Sequence, residues 1–494
     1  MLHGVFRNKD VPLSRSASGR FALLVAAAAL AGALAPAAAS ASQADDEVTV
    51  TERTGPVTVD GYAVKQSFLV APHPKVDGYI TKMSVDVVDA DGTPVPIQRL
   101  MLHHIVFGNV SRPDETCSDI VGFDSRLAPG LNAERFYAAG EERAKMNLPA
   151  GYGYRMRAND FWGVLYMFMN HRATQDSAYI QYSITYVPDN APSAASMTAV
   201  KPYWLDVVNC RADPIYNVKG DGGPGSTDDR SFDLTMPESG RIIAGGGHVH
   251  GGAHELTITE PDCGDRTIAE SIPTWGLPDN PFYQVRPVLH EPGPINMSAW
   301  GSESGVPIAA GQRLRLNSLY DDSLPHVRVM GISIVYVAPD PSVTPAQGCG
   351  PLPGDIVNVG TDQPGRPGPI PYKIPLTGLD PSGNAVTIKN PPGKLQTLKS
   401  GSELLVGDHF FLDKNVKIRK GATLNWRFAS DDLHNVTLAN GPVGLGSENL
   451  NDDRGFSKRF NRRGTYRLFC ALHPVEMTER VVVVGKHGKR LRAN

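Results

Sequence analysis

Gly464-Thr-Tyr-Arg-Leu-Phe-Cys470-Ala-Leu-His473-Pro-Val-Glu-Met477, with His434-Asn-Val upstream of it, is the stretch from which the chain is read. A thiolate and two imidazoles form a trigonal donor set that suits copper in electron transfer, and a weak axial thioether raises the potential. The spacing lets Cys470, His473 and Met477 converge from one tight loop at the end of a strand, while His434 arrives from a neighbouring strand. Such a cage exists before the metal binds and changes little when an electron moves. Upstream, Val416-Lys-Ile-Arg-Lys-Gly-Ala-Thr-Leu-Asn-Trp426 reads as strand, turn, strand, so the segment around the ligands is a β-sandwich.

The rest of the 494 residues read the same way. Glycine (50) and proline (40) are abundant, no long amphipathic helical run appears, and segments such as 179–187 and 327–335 are rich in β-branched and aromatic residues, as strands are. The length calls for two to four domains. A Pro/Gly-dense stretch over 341–371 reads as a stiff linker. Residues 1–41 carry Arg7, Lys9, Arg15 and Arg20, an apolar run over 21–34 and the small residues Ala39-Ser40-Ala41, and so read as a secretory signal peptide. The protein is expected outside the cell or in the periplasm, with no membrane span after the signal is removed. Residues 370–494 hold 20 basic against 11 acidic residues, a net of +9, and residues 42–369 hold 24 against 39, a net of −15. A basic module beside an acidic body favours electrostatic docking, although two solvated surfaces would give the same count. Nothing supports nucleic-acid binding beyond the basic tail 487–494.

Two further histidine clusters precede the cysteine motif. Leu102-His103-His104-Ile is an adjacent pair in strand-like sequence, and Met167-Phe-Met-Asn-His171 follows it. Gly245-Gly-Gly-His248-Val-His250 comes later, then Met330 in an apolar run. His-x-His on a strand puts both rings on one face, within reach of one ion. Imidazoles with a thioether favour copper over zinc or magnesium, because soft sulfur stabilises Cu(I). His254, His290 and His326 lie near these motifs and read as structural or supporting residues.

The C-terminal motif resembles the cupredoxin (plastocyanin-like) family over about 372–486, which implies a Greek-key sandwich of eight strands holding type 1 copper through His434, Cys470, His473 and Met477. Its departure is the loop length, with three residues between His473 and Met477. The order His-His, a later His, Gly-rich His-x-His and a Met before an apolar strand is similar to the copper type II ascorbate-dependent monooxygenases, such as the peptidylglycine and dopamine hydroxylating enzymes. That resemblance covers roughly 50–340. It implies two jelly-roll-like sandwiches, 42–192 and 193–340, with copper on each facing wall of a cleft. His103, His104 and His171 would hold an electron-transfer copper, and His248, His250 and Met330 the catalytic, oxygen-activating one. The chain has Gly246 where the peptide-hydroxylating members carry an arginine, so their substrate is not carried over. Cys210 and Cys349 bracket the second sandwich and resemble a family disulfide. From the sequence itself the pairing among Cys117, Cys210, Cys263 and Cys349 stays open between three connectivities, with Cys470 left as the metal ligand.

The expectation is therefore an all-β, exported copper monooxygenase: two jelly-roll-like sandwiches followed by a Greek-key cupredoxin sandwich. It would hydroxylate C–H bonds of a small-molecule or peptide-like substrate, with electrons from ascorbate or a redox protein relayed through its own blue-copper domain. The alternative is an exported copper-binding electron carrier without substrate chemistry. A zinc hydrolase built on His248 and His250 lacks the helical glutamate such enzymes use, and thioether is a poor zinc ligand.

Overall fold

Alternation decides the layers. In the strand Asp176–Pro188 buried residues recur at nearly every second position, the pattern of a strand with one face on a core. The computed structural model describes residues 42–117, 132–211, 213–359, 365–371, 374–375, 377–387 and 391–485, so the expected signal peptide (1–41) and basic tail (487–494) lie outside the described residues. Among the described residues the regular structure is almost entirely strand, and no helix is long and apolar enough to cross a membrane.

One large sheet runs, in order, through Val48–Val59, Asp176–Pro188, Gly78–Val88, Tyr152–Met156, Thr198–Asp206, Gly331–Pro339, Gly240–Val249, Ala299–Ile308 and Val357–Val359. Its first part packs against the sheet Val64–Ala71, Trp162–Asn170, Leu100–Asn109 and Glu134–Gly140, around Phe107, Phe136, Tyr154 and Trp162. Its second part packs against Thr227–Thr235, Arg313–Asp321, Ala253–Glu260 and Arg266–Ser271, around Tyr203, Val249, Leu316 and Tyr320. A parallel pairing of Tyr152–Met156 with Thr198–Asp206 joins the two parts, so the backbone ladder passes unbroken across the expected boundary at 192/193. Gly331–Pro339 is buried at every position but Pro339, because it has a core on each side. Ile332, Ile334 and Tyr336 point into the first core, Val335 and Val337 into the second. That is why its sequence is continuously apolar rather than alternating.

The expected strand over 327–335 is instead two, His326–Val329 and Gly331–Pro339, with Met330 at the break. Arg328 takes a left-handed φ of 54° there, which turns the chain and frees Met330 from the ladder. The 341–371 stretch does not hang free. Thr344 caps the short helix Pro345–Gly348, Val357–Val359 pairs with Ala299–Ile308, and Gly365–Arg366 pairs with Pro273–Gly276.

The C-terminal sandwich sets Gln396–Thr397, Asn415–Arg419, His473–Val484, Gly464–Cys470 and Thr437–Asn440 against Phe410–Phe411, Ser402–Gly407, Thr423–Phe428 and Gly455–Arg459, nine strands among the described residues. Its core of Val416, Trp426, Leu468 and Val481 is continuous with Val64, Met101, Met169, Tyr283 and Leu289 of the other two sandwiches.

The expected pairing of Cys210 with Cys349 is not formed. Cys210 is bonded to Cys117, with Cα atoms 5.6 Å apart, and Cys349 to Cys263 at 5.2 Å. Each cysteine has a nearer partner brought beside it by the strand order, and Cys470 stays free and buried. Two disulfides are the chemistry of an oxidising compartment.

Candidate metal centres

Gly464–Cys470 ends where its partner strand begins, and Cys470 is paired in register with His473. The turn between them therefore delivers the thiol and one imidazole to the same spot. His434, fully buried, reaches it from the loop before Thr437–Asn440, pinned by reciprocal backbone bonds to Leu450. Cys470 Sγ lies 3.9 Å from His434 Nδ1 and 3.8 Å from His473 Nδ1. Met477 is fully buried in the same core cluster as Cys470.

Asn435 locks the two ligand loops together. Its backbone N–H donates to Cys470 Sγ at 3.4 Å, and its Oδ1 accepts from Ala471 N–H at 2.7 Å. Burial lowers both imidazoles, His473 to about 4, and pushes the Cys470 thiol up. Neutral imidazoles are ready ligands, and a cation that binds thiolate would reverse the thiol's shift. His409, which the sequence reading did not single out, covers the outer edge: its ring centroid is 4.1 Å from that of His473, and its Nδ1 is held by Glu476 at 2.9 Å.

The other two histidine clusters are not apart. His103 and His104 sit on Leu100–Asn109, where the register shifts between Leu102 and His104. That irregularity lets both neighbours turn inward, with Nδ1 atoms 2.9 Å apart. His248 and His250 lie at the end of Gly240–Val249, with Nε2 atoms 3.1 Å apart. The rings of His103 and His250 have centroids 4.9 Å apart, so the clusters touch instead of facing each other across an open cleft.

Three residues join them that the sequence reading had passed over or treated as supporting. His103, Glu141 and His290 bring ligand atoms within 4.8 Å of one another. Glu141 accepts from the His290 ring and from Gly293 N–H, while Glu142 takes His248 Nδ1 at 3.2 Å. His290 is thus a member of the cluster. His326 is a support, held by Glu291 at 2.8 Å. His171, expected beside His103 and His104, is buried close enough to His290 for the two to repel as cations, and its Nδ1 has no partner. It is outside the group formed by His103, Glu141 and His290. Met330 is buried, and its carbonyl is fixed by Tyr320 Oη at 2.6 Å.

Burial, with repulsion among neighbouring rings, holds His103, His104 and His250 well below the ordinary imidazole range, His104 at about 3. Burial acts on His248 too, but Glu142 outweighs it and raises that ring. In the sequence Gly140-Glu-Glu-Arg143 has the form of an ordinary charged turn, so no local signal marks Glu141 and Glu142 as part of the cluster.

Two cavities meet at this cluster. One of about 900 Å³ opens on His104, Glu142, His248 and Met330. Another of about 600 Å³ is lined by His103, His250 and His290 on one side and by Ala471 and Leu472 of the cysteine ligand loop on the other. A hydrogen-bonded chain also links the two regions. Arg328 lines the smaller cavity with His250, its Nη2 donates to Asn449 Oδ1 at 3.2 Å, Asn435 Nδ2 donates to the same oxygen at 2.9 Å, and Asn435 N–H reaches Cys470.

No protein-family model and no curated protein matches the chain. Solved structures resemble a small part of it. A purple cupredoxin from Nitrosopumilus maritimus is 23% identical over 17% of this chain and 99% of that one, with a TM-score of 0.16. A proline-to-glycine mutant of amicyanin in its reduced Cu(I) form at pH 4 is 24% identical over 18% and 86%, with a TM-score of 0.16. A methionine-to-alanine mutant of amicyanin, Cu(I), is 24% identical over 17% and 80%, also at 0.16.

Proposed function

We propose that the chain is an exported copper-dependent oxidoreductase of the monooxygenase type, in which the cysteine site feeds electrons to the histidine cluster. The observation that carries this reading is the shared cavity of about 600 Å³, with the cysteine ligand loop on one wall and His103, His250 and His290 on the other. The donor sets suit the metal. One site offers a thiol and two imidazoles with the Met477 thioether in the same core; the other offers crowded imidazoles, of which His103, His104 and His250 are kept neutral by burial, with Nδ1 of His171 and His290 lacking any partner. His434, Cys470, His473 and Met477 would hold type 1 copper; His248, His250 and Met330 a catalytic copper; and His103, with Glu141, His290 and His104, a further one. Bound copper would supply one-electron exchange at the first site and oxygen activation at the cluster.

The residues around these ligands do the rest. Asn435 and its bonds hold the thiol and His434 loops in one geometry, limiting reorganisation. Glu142 fixes His248 through Nδ1, leaving Nε2 directed at His250. Electrons would come from ascorbate or a redox protein at the His473 edge, where His409 and Glu476 are exposed.

The test is copper content with optical and paramagnetic spectra of the purified chain, followed by oxygen uptake with ascorbate and a search for hydroxylated product. An intense thiolate-to-copper band, further colourless copper and product-coupled oxygen use are expected. A blue band without colourless copper or oxygen use would favour the electron-carrier reading, and a protein that binds no copper would end both.

A further inference from the structure

Resting on the proposed function, we infer that the larger cavity is the substrate site and that it takes an uncharged, largely apolar small molecule instead of a carboxylate or an amine cation. The cavity of about 900 Å³ lies between the first and second sandwiches and opens on His104, His248 and Met330. That is ample for a drug-sized ligand. Apolar side chains that their own sandwiches leave partly exposed, among them Phe68, Val106, Ala138 and Leu165, form one wall.

Charge decides the class of ligand. Each charged group deep in the wall is already neutralised by an ion pair: Arg135 has Asp114 at 2.7 Å, Asp213 has Arg328 at 3.0 Å, and Glu142 has His248, while Lys145 stands exposed at the edge. Arg143 spends its guanidinium on the carbonyls of Leu102 and Gly140. A charged ligand would lose its hydration in the deep part of the cavity for counter-charges already balanced by their own ion pairs, which is costly in such a site. What the wall does leave open is single hydrogen bonds, two donors and two acceptors, since Trp204 Nε1, Arg135 Nη2, Asn296 Oδ1 and Asp213 Oδ1 are buried without partners.

Gly246 makes the room. In the run Gly245-Gly246-Gly247 the outer two are compelled by packing: a Cβ would lie 2.7 Å from Trp300 Nε1 at Gly245 and 2.5 Å from Leu256 Cδ1 at Gly247. At Gly246 a Cβ would meet Ala299 Cβ at 3.8 Å and nothing closer, with no positive φ to forbid it. Gly246 shares its strand face with His248, so a side chain there would project beside the histidine into the cavity. Nothing in the packing requires this glycine. The space it leaves is space for a ligand.

The test is fluorescence titration of the full chain with aminoanthracene, neutral at pH 7, against anthracene carboxylate, with and without added cupric salt. The wild type is expected to bind the neutral probe, and the carboxylate roughly tenfold or more weakly. Gly246→Phe should weaken neutral binding by a similar factor at unchanged melting temperature, and Gly246→Ala should retain most of it. Ala138→Phe fills the cavity from the opposite wall and serves if Gly246→Phe does not fold. Equal or tighter carboxylate binding, no probe binding, or full binding in both phenylalanine variants would overturn the inference. Copper uptake with no probe binding would sink this inference alone; probe binding with no copper uptake would sink the proposed function alone.

Discussion

Gly140 is the position where the histidine cluster has least tolerance. A Cβ there would lie 2.4 Å from His248 Cε1 and 2.4 Å from Glu142 Oε2, so both members of that pair would have to move. Gly140→Ala should fold with a loss of about 2 kcal/mol from overpacking. It should also lower the copper retained by the cluster, read by metal analysis after dialysis, while the blue band of the cysteine site stays. Glu141→Gln probes the same cluster differently. The carboxylate, with a side chain 5% exposed, is shared by His103 and His290. Replacing it removes the anionic donor but keeps the shape, so colourless copper should fall and type 1 signals should not change. Loss of both copper signals together would mean that these residues hold the fold and not a metal.

The strand Asp176–Pro188 shows how one charge anchors an element. Asp176, with a side chain 7% exposed, accepts from Arg99 Nε and Nη2, each at 2.8 Å, and from Arg172 and Ser177 N–H. Burial alone would raise its carboxyl, but these donors overcome burial and hold it below the usual range. A depressed folded value stabilises above the unfolded value, about pH 4, and that stability is lost as pH falls through the folded one. Asp176→Asn should therefore cost about 2 kcal/mol at neutral pH, discounted for the part-exposed arginine, and should flatten the acid limb of melting temperature against pH. An acid limb identical to that of the wild type would refute the assignment. Elements of this kind were legible in the sequence because strand alternation and the spacing from Cys470 to Met477 are local signals. Contacts made across the chain were not. Glu141 and His290 stand 149 residues apart, and the disulfides join residues 93 and 86 apart, so only the sheet order could pair them. The break at Met330 was equally hidden, because the left-handed Arg328 that causes it is a residue type with no preference for that conformation.

At the scale of the whole molecule, the C-terminal sandwich is a docked part and not a swinging one. The backbone N–H of Val64 donates to the carbonyl of Leu472 at 2.9 Å, and the third core runs on into Met101, Met169 and Leu289. Removing residues 372–494 would bare that apolar surface, so the truncated chain should melt lower and bind a hydrophobic dye, whereas a tethered domain would leave the remainder unchanged. Arg328 is the contact that ties the docked sandwich to the cavity beside His250. Its side chain, 11% exposed, spans Asp213, Asn449 and the carbonyl of Ser447, and the residue lines the smaller cavity with His250. Arg328→Gln keeps a polar side chain but cannot reach all three partners. Because Asn435 keeps its own bonds to Cys470 and Ala471, the variant's blue absorption should match the wild type. Under the proposed relay, losing one coupled contact worth about 1 kcal/mol should slow electron exchange between the two regions roughly fivefold, followed as reoxidation of the blue band in air. If reoxidation slows only as far as the melting temperature falls, Arg328 acts through docking. If it is unchanged, the electrons cross by the cavity wall at Leu472 instead of through the asparagine bridge.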